Sequence, residues 1–123
     1  MTRKRKKIYD CVFEAGSPLS AAQIHRETGE EMDLTTVYRG LQYLEDQRFI
    51  TSFVYSCEER GIERYYTRIQ TGHTHFMHCR KCHSFFPMPF CPIKDNAKWK
   101  KEINGFLVED HSITLTGLCS SCQ

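Results

Sequence analysis

Apolar residues at Ile8, Cys11, Val12 and Ala15 recur at i, i+3, i+4 and i+7, which lays one hydrophobic stripe along a helix. Gly16-Ser17-Pro18 ends it, since both glycine and proline interrupt a helical ladder. Ser20-Ala21-Ala22-Gln23 has the form of a capping box, in which the Ser hydroxyl and the Gln amide satisfy each other's orphan backbone N–H groups. A second helix of about two turns therefore opens there and runs to Thr28-Gly29. Asp33 is placed to cap a third helix whose apolar face is Val37, Leu41 and Leu44, leaving Thr35, Thr36, Tyr38, Arg39 and Gln42 to its other faces. From Phe49 the period changes to two, with Ile50, Ser52, Val54 and Ser56 on one face and Thr51, Phe53, Tyr55 and Cys57 on the other. Glu58-Glu59-Arg60-Gly61 is a turn and Ile62 to Ile69 a β-rich return strand. Three short helices followed by a hairpin is the order of a winged helix; a generic helical domain with a hairpin is the plainer reading of the same pattern.

Gln70-Thr71-Gly72 marks a hinge, after which the composition shifts toward His, Cys, Phe and Pro. Two domains follow, 1–70 and 71–123. The second is expected to hold strands near Thr74–His78 and Ser84–Met88, a helix from about Ile93 to Asn104, and a last strand from about Phe106 to Leu118. The fold class is α+β: an N-terminal winged helix and a small α/β unit.

At 123 residues, two domains are small enough that at least one, the second, is expected to need a staple beyond its own apolar core. Cysteine can supply it. There are seven, an odd number, and the chain opens on a basic run without the apolar stretch of a secretory leader, so a reducing, cytoplasmic setting is expected. No stretch is apolar enough for a membrane span. The net charge of +2 is slight, but five of the first seven residues are Lys or Arg. Such a run acquires meaning only beside a DNA-reading element; otherwise it is a solvated tail.

Cys79-Arg80-Lys81-Cys82 and Cys119-Ser120-Ser121-Cys122 are two Cys-x-x-Cys knuckles. Zinc takes four ligands at tetrahedral corners, and a two-residue gap lets both sulfurs of one knuckle reach one ion. Structural zinc on Cys79, Cys82, Cys119 and Cys122 is the reading; a disulfide or redox pair, or rubredoxin-like iron, also fits the pattern. Binding there would supply folding energy as well as geometry. His73 and His75, two apart on an expected strand, project to one side and can share a metal, with His111 on the expected last strand. Cys57, Glu63, Cys91 and Asp95 are further possible ligands. A metal at the hinge would fix the angle between two domains and so act as a switch.

The run Asp33-Leu34-Thr35-Thr36-Val37-Tyr38-Arg39-Gly40-Leu41, then Arg64-Tyr65, then the His-rich lead into the first knuckle, and finally Gly105 through His111 to Gly117 and the second knuckle resembles the ferric uptake regulator (Fur) superfamily over nearly the whole chain. The resemblance implies a homodimeric, metal-dependent transcription repressor bound to double-stranded operator DNA. It implies contacts from the third helix by Tyr38 and Arg39, beside Thr35 and Thr36, and phosphate contacts from Lys4, Arg5, Lys6 and Lys7. Thr2-x-x-Arg5 resembles the start of the family's first winged-helix element, so the helix that usually precedes it is not expected.

The chain departs from the family where Pro18, Tyr66 and Pro87 stand in for a His and two Glu of the usual sensing ligands. The neighbouring site implied by the resemblance is His73, His75 and His111 with Asp95 or Glu102. Iron(II) and manganese(II) prefer carboxylate-rich six-coordinate shells, whereas His with Cys suits tetrahedral zinc, which favours zinc as the regulatory ion and the zinc-uptake-regulator branch. An iron- or peroxide-sensing member is the alternative within the family. Outside it stand a small zinc hydrolase, with His73, His75 and His111 as ligands and Glu63 as base, and a zinc-ribbon adaptor that binds protein.

Overall fold

A computed structural model describes residues 1–29, 31–69, 74–91 and 102–123. The chain divides into two compact units, Met1–Gln70 and Thr71–Gln123, in an α+β fold whose first unit is a winged helix.

In the first unit, helix α1 spans Arg3–Glu14 and starts five residues before its first apolar position, because the Thr2 hydroxyl accepts the Arg5 N–H and caps the basic turn. Strand β1, Leu19–Ser20, leads into α2, Ala21–Glu27. Both bonds of the Ser20/Gln23 capping box are made, at 3.2 and 2.8 Å. Helix α3, Leu34–Asp46, is capped by the Asp33 carboxylate, which accepts the Thr36 N–H at 2.8 Å. Ile8 and Val12 of α1, Ala21 and Ile24 of α2, and Val37, Leu41 and Leu44 of α3 form one buried cluster, closed by Leu19, Ile50 and Tyr66. Gly40 lets α1 and α3 approach closely: a Cβ there would lie 2.5 Å from Ile8 Cδ1. After α3, Arg48 takes a left-handed backbone (φ 63°) and Phe49 N–H returns to Leu44 O, so the chain turns sharply into the wing. Strands β2, Ile50–Cys57, and β3, Gly61–Arg68, pair antiparallel from Ile50↔Arg68 to Cys57↔Gly61, with β1 on the far side of β3.

The second unit is built on a three-stranded sheet of order β5-β4-β8. Its strands are β4, Phe76–Cys79; β5, Phe85–Pro87, antiparallel to β4; and β8, Thr114–Gly117, parallel to β4. Beside it in sequence, β6, Glu102–Ile103, and β7, Phe106–Leu107, form a small hairpin.

Two expectations are corrected here. The end of the helix expected to Asn104 is strand and turn, because Asn104 and Gly105 both take positive φ (49° and 79°) and make the two-residue hairpin turn that an Asn-Gly pair favours. Residues 93–101 of that expected helix lie outside the described residues. The single last strand is instead two, β7 and β8, and His111 precedes β8 rather than lying on a strand. Glu109 and Asp110 are exposed, and the Asp110 carboxylate accepts the His111 N–H at 2.8 Å, a local bond that replaces strand pairing at that point.

Candidate metal centres and nucleic-acid surface

The parallel register of β4 on β8 places Cys79 opposite Gly117, so both cysteine knuckles leave the same end of adjacent strands. The sulfurs of Cys79, Cys82, Cys119 and Cys122 consequently all lie within 4.8 Å of one another. Cys82 and Cys119 Sγ are 3.8 Å apart, matching the edge of about 3.8 Å of a tetrahedron with metal–sulfur bonds of ~2.3 Å. The backbone N–H groups of Cys119 and Cys82 point at Cys79 Sγ, each at 3.5 Å, and pull its thiol down to about 5. Cys122, hydrogen-bonded to Cys119 in the same cluster, is pushed up to about 12. Four sulfurs this close resist common ionisation, and a divalent cation among them would remove that penalty. The donor set fits structural zinc.

The other end of the same sheet gathers a second group. His75 directly precedes β4 and His111 lies before the parallel β8; β5 runs antiparallel, so its exit brings Cys91 to that end as well. Met88 N–H donates to His75 O at 2.8 Å and fixes the approach of the segment carrying Cys91. His75 Nε2 and His111 Nε2 are 3.2 Å apart, and Cys91 Sγ is 3.4 Å from each. A tetrahedral zinc with bonds of about 2.0–2.3 Å to N and S has ligand–ligand edges of roughly 3.3–3.5 Å, so these three atoms outline one of its faces. His75 is buried, while Cys91 and His111 are half-buried.

Of the other ligands named from sequence, His73 and Asp95 lie outside the described residues, as does the side chain of Glu102 in β6. Cys57, buried at the end of β2, and Glu63, half-buried in β3, stand in the wing and are not members of the His75–Cys91–His111 group. Cys91 carried only a weak sequence signal, because Cys91-Pro92 also reads as a turn.

In the winged helix, α3 buries Val37, Gly40, Leu41 and Leu44 and leaves Thr35, Tyr38, Arg39 and Gln42 exposed, with Thr36 half-buried. The basic run at α1 is more engaged than a solvated tail. Arg5 places its guanidinium 3.8 Å over the Tyr43 ring, Lys6 pairs with Asp10 at 3.1 Å, and Lys7 pairs with Glu31 at 3.0 Å. The Thr36 hydrogen bonds hold the Asp33 carboxyl below its ordinary range, helped by the positive charges of Arg39 and Lys4. The basic turns of α1 thus lie across α3, with Lys7 at Glu31 before its cap and Arg5 at Tyr43 toward its end.

The profile of the Ferric uptake regulator family matches residues 1–116. A ferric uptake regulation protein of Neisseria meningitidis serogroup C is 30% identical over 128 residues, covering 100% of this chain and 85% of its own. A zinc uptake regulation protein of Mycobacterium tuberculosis is 29% identical over 128 residues, with 99% and 93% covered. Among solved structures, the ferric uptake regulator of Vibrio cholerae, described with DNA-binding domains that rearrange, superposes with a TM-score of 0.73 at 24% identity, over 97% of this chain and 91% of that one.

Proposed function

The chain belongs to the ferric uptake regulator family, and from that membership we propose that it is a metal-responsive transcriptional repressor, not an enzyme, that binds operator DNA as a homodimer when its regulatory site holds zinc. The observation that carries the choice of ion is the donor set of His75, Cys91 and His111, with mutual distances of 3.2–3.4 Å. Two imidazoles and a thiolate suit tetrahedral zinc better than iron(II) or manganese(II), which favour more oxygen and more ligands. Zinc held there would act as a charge that cross-links three segments of the second unit, while the four-cysteine site serves as the permanent staple.

DNA reading falls to α3. Arg39 can grip guanine O6 and N7, and Tyr38 can pack on a thymine methyl, with Thr35 and Thr36 on the neighbouring turn. Lys4 and its basic neighbours at the start of α1 supply phosphate contacts, favoured by the positive end of the α1 dipole, whose first turn holds no acidic residue. Pairing of two chains through their second units is supported by exposed Phe86, Leu115 and Leu118 and by a concavity of about 460 Å³ that they share with Met77. No described helix is long and apolar enough to cross a membrane, and the cytoplasm is the setting proposed for this regulator.

The test uses DNA selected from a random-sequence pool by the zinc-loaded protein. Chelation should abolish binding and zinc should restore it, while iron(II) and manganese(II) at equal free concentration should not. Restoration by iron(II) alone would transfer the protein to the iron-sensing branch. Arg39→Ala should weaken binding by roughly 1–3 kcal/mol, the cost of a lost base contact; unchanged affinity would remove α3 as the reading element.

A further inference from the structure

A hydrogen-bonded chain runs from the third helix to the wing. Ser52 Oγ in β2 donates to Glu45 Oε2 in the last turn of α3, at 2.5 Å, and accepts from Arg64 Nη1 of β3 at 3.0 Å. The register explains how three residues from three elements meet. Ser52 lies opposite Tyr66 and Val54 opposite Arg64, so Ser52, Val54, Arg64 and Tyr66 share one face of the hairpin. Tyr66 closes the core under that face, and the field at its hydroxyl includes Arg64, Glu45 and Tyr38. The recognition helix and Arg64 therefore border the same surface.

Two features make Arg64 more than a staple. Its side chain is exposed, and only one of the five N–H donors of a guanidinium is engaged by Ser52, so the planar fork is held in place with donors left for an anion. The other cations of the wing are placed less favourably: Arg60 at the tip follows Glu58 and Glu59, which repel a phosphate backbone, and Arg68 lies over the Phe13 ring. Arg64 stands midway along the wing, opposite Val54, and is linked through Ser52 to Glu45 in the last turn of α3, whereas Lys4 and Arg39 lend their positive charge to the N-terminal cap Asp33. From Asp33 to Glu45 the helix advances about 18 Å, at ~1.5 Å per residue. A major groove is about 12 Å wide, so a helix of that length that crosses it would carry cations at its two ends to opposite phosphate walls.

We propose that Arg64 is a backbone-phosphate contact of the DNA-bound protein, positioned by the Glu45–Ser52 relay so that the wing and α3 grip DNA as one body. The inference rests on the reading of this protein as a DNA-binding regulator. It adds a contact on the wing that neither the third helix nor the basic N-terminal run supplies.

The experiment measures affinity of the zinc-loaded full chain for selected and for unselected DNA across a salt series, with thermal unfolding as a control. Arg64→Ala should weaken both DNAs by the same factor and flatten the slope of log K against log[salt] by about 0.9 per lost contact, so about 1.8 for a two-chain complex. Arg64→Lys should restore the slope, because the charge returns without the fork. Ser52→Ala should weaken binding with the slope kept, because it loosens the cation without removing it. A folded Arg64→Ala protein with unchanged affinity, or with weaker binding at an unchanged slope, overturns the proposal. If Arg64→Ala does not fold, an Arg64→Lys protein with a wild-type unfolding midpoint but a flattened slope also overturns it. Arg39→Ala separates the two readings: if it weakens selected DNA while Arg64→Ala does nothing, only the wing contact fails, and if neither matters the DNA-binding reading fails with it.

Discussion

His75 and His111, separated by 36 residues of sequence, bring their Nε2 atoms to 3.2 Å, and Cys91 Sγ caps that pair at 3.4 Å from each. The parallel pairing of β4 with β8 makes this meeting possible, and the same pairing joins the two cysteine knuckles at the opposite end of the strands. One four-residue strand thus separates two candidate ion sites by about 13 Å, at ~3.3 Å per residue.

Metal removal should distinguish the two ends. Protein loaded with zinc is expected to hold two ions per chain by elemental analysis, one released by a mild chelator and one retained until the thiols are modified. His75→Ala and Cys91→Ser should each abolish the releasable ion and leave the retained one. Loss of both ions together on mild chelation would show that the four cysteines do not form an independent staple.

The close approach of α1 and α3 at Gly40 gives a packing prediction. Gly40→Ala gains up to ~1 kcal/mol of helix propensity but drives a methyl into Ile8, where overpacking costs about 1–3 kcal/mol. Ile8 is fully buried and has little room to yield, so the net effect should be a lower unfolding midpoint. Ile8→Val removes the colliding Cδ1, and the Ile8→Val/Gly40→Ala double variant should be more stable than the sum of the single changes. Additivity in that cycle would show that the contact is not the cause.

Capping of α2 can be tested at Ser20, which makes both bonds of its box. Ser20→Ala should cost about 1 kcal/mol and lower the midpoint of the first unit by roughly 4–8 °C. A midpoint within one degree of the parent would deny the cap a stabilising role.

Asp33 sets an acid limit on α3. Its carboxyl is held below the ordinary range mainly by the Thr36 N–H, so the folded state favours the charged form. The contribution is complete above the unfolded carboxylate pKa and is lost as pH falls through the lower, folded value. Denaturant midpoints followed from pH 7 to pH 3 should show this step in the parent and a shallower one in Asp33→Asn, which keeps a capping oxygen without the titration.

Cys11 should alkylate slowly in the native protein. Burial, then its hydrogen bond to Glu27 at 3.3 Å, pushes the thiol up to about 12, which leaves almost no thiolate at neutral pH. Mass-spectrometric labelling at pH 8 should leave Cys11 unmodified in the native state and modify it once unfolding removes its burial and the Glu27 bond. Rapid native labelling of Cys11 would contradict that environment.

The sequence by itself determined the local elements and the cysteine donors of the first candidate metal site. Periodicity, the Ser20 box and the Asp33 cap act over three or four residues, and they specified α2 and α3 without reference to the rest of the chain. Each Cys-x-x-Cys knuckle carries its own geometry, so the pairing of sulfurs within a knuckle was legible from spacing, while the meeting of the two knuckles came from β4 lying parallel to β8. Only the tertiary structure decided which histidines meet. His75, Cys91 and His111 come together through strand order and direction, properties of the whole sheet that no window of residues contains. At the end of the expected second-unit helix, the Asn104-Gly105 turn overrode the helical pattern because positive φ at two successive positions cannot be continued as a helix. Arg64 owed its place to pairing register and to Glu45 reaching Ser52, contacts between elements whose local patterns carry no sign of one another.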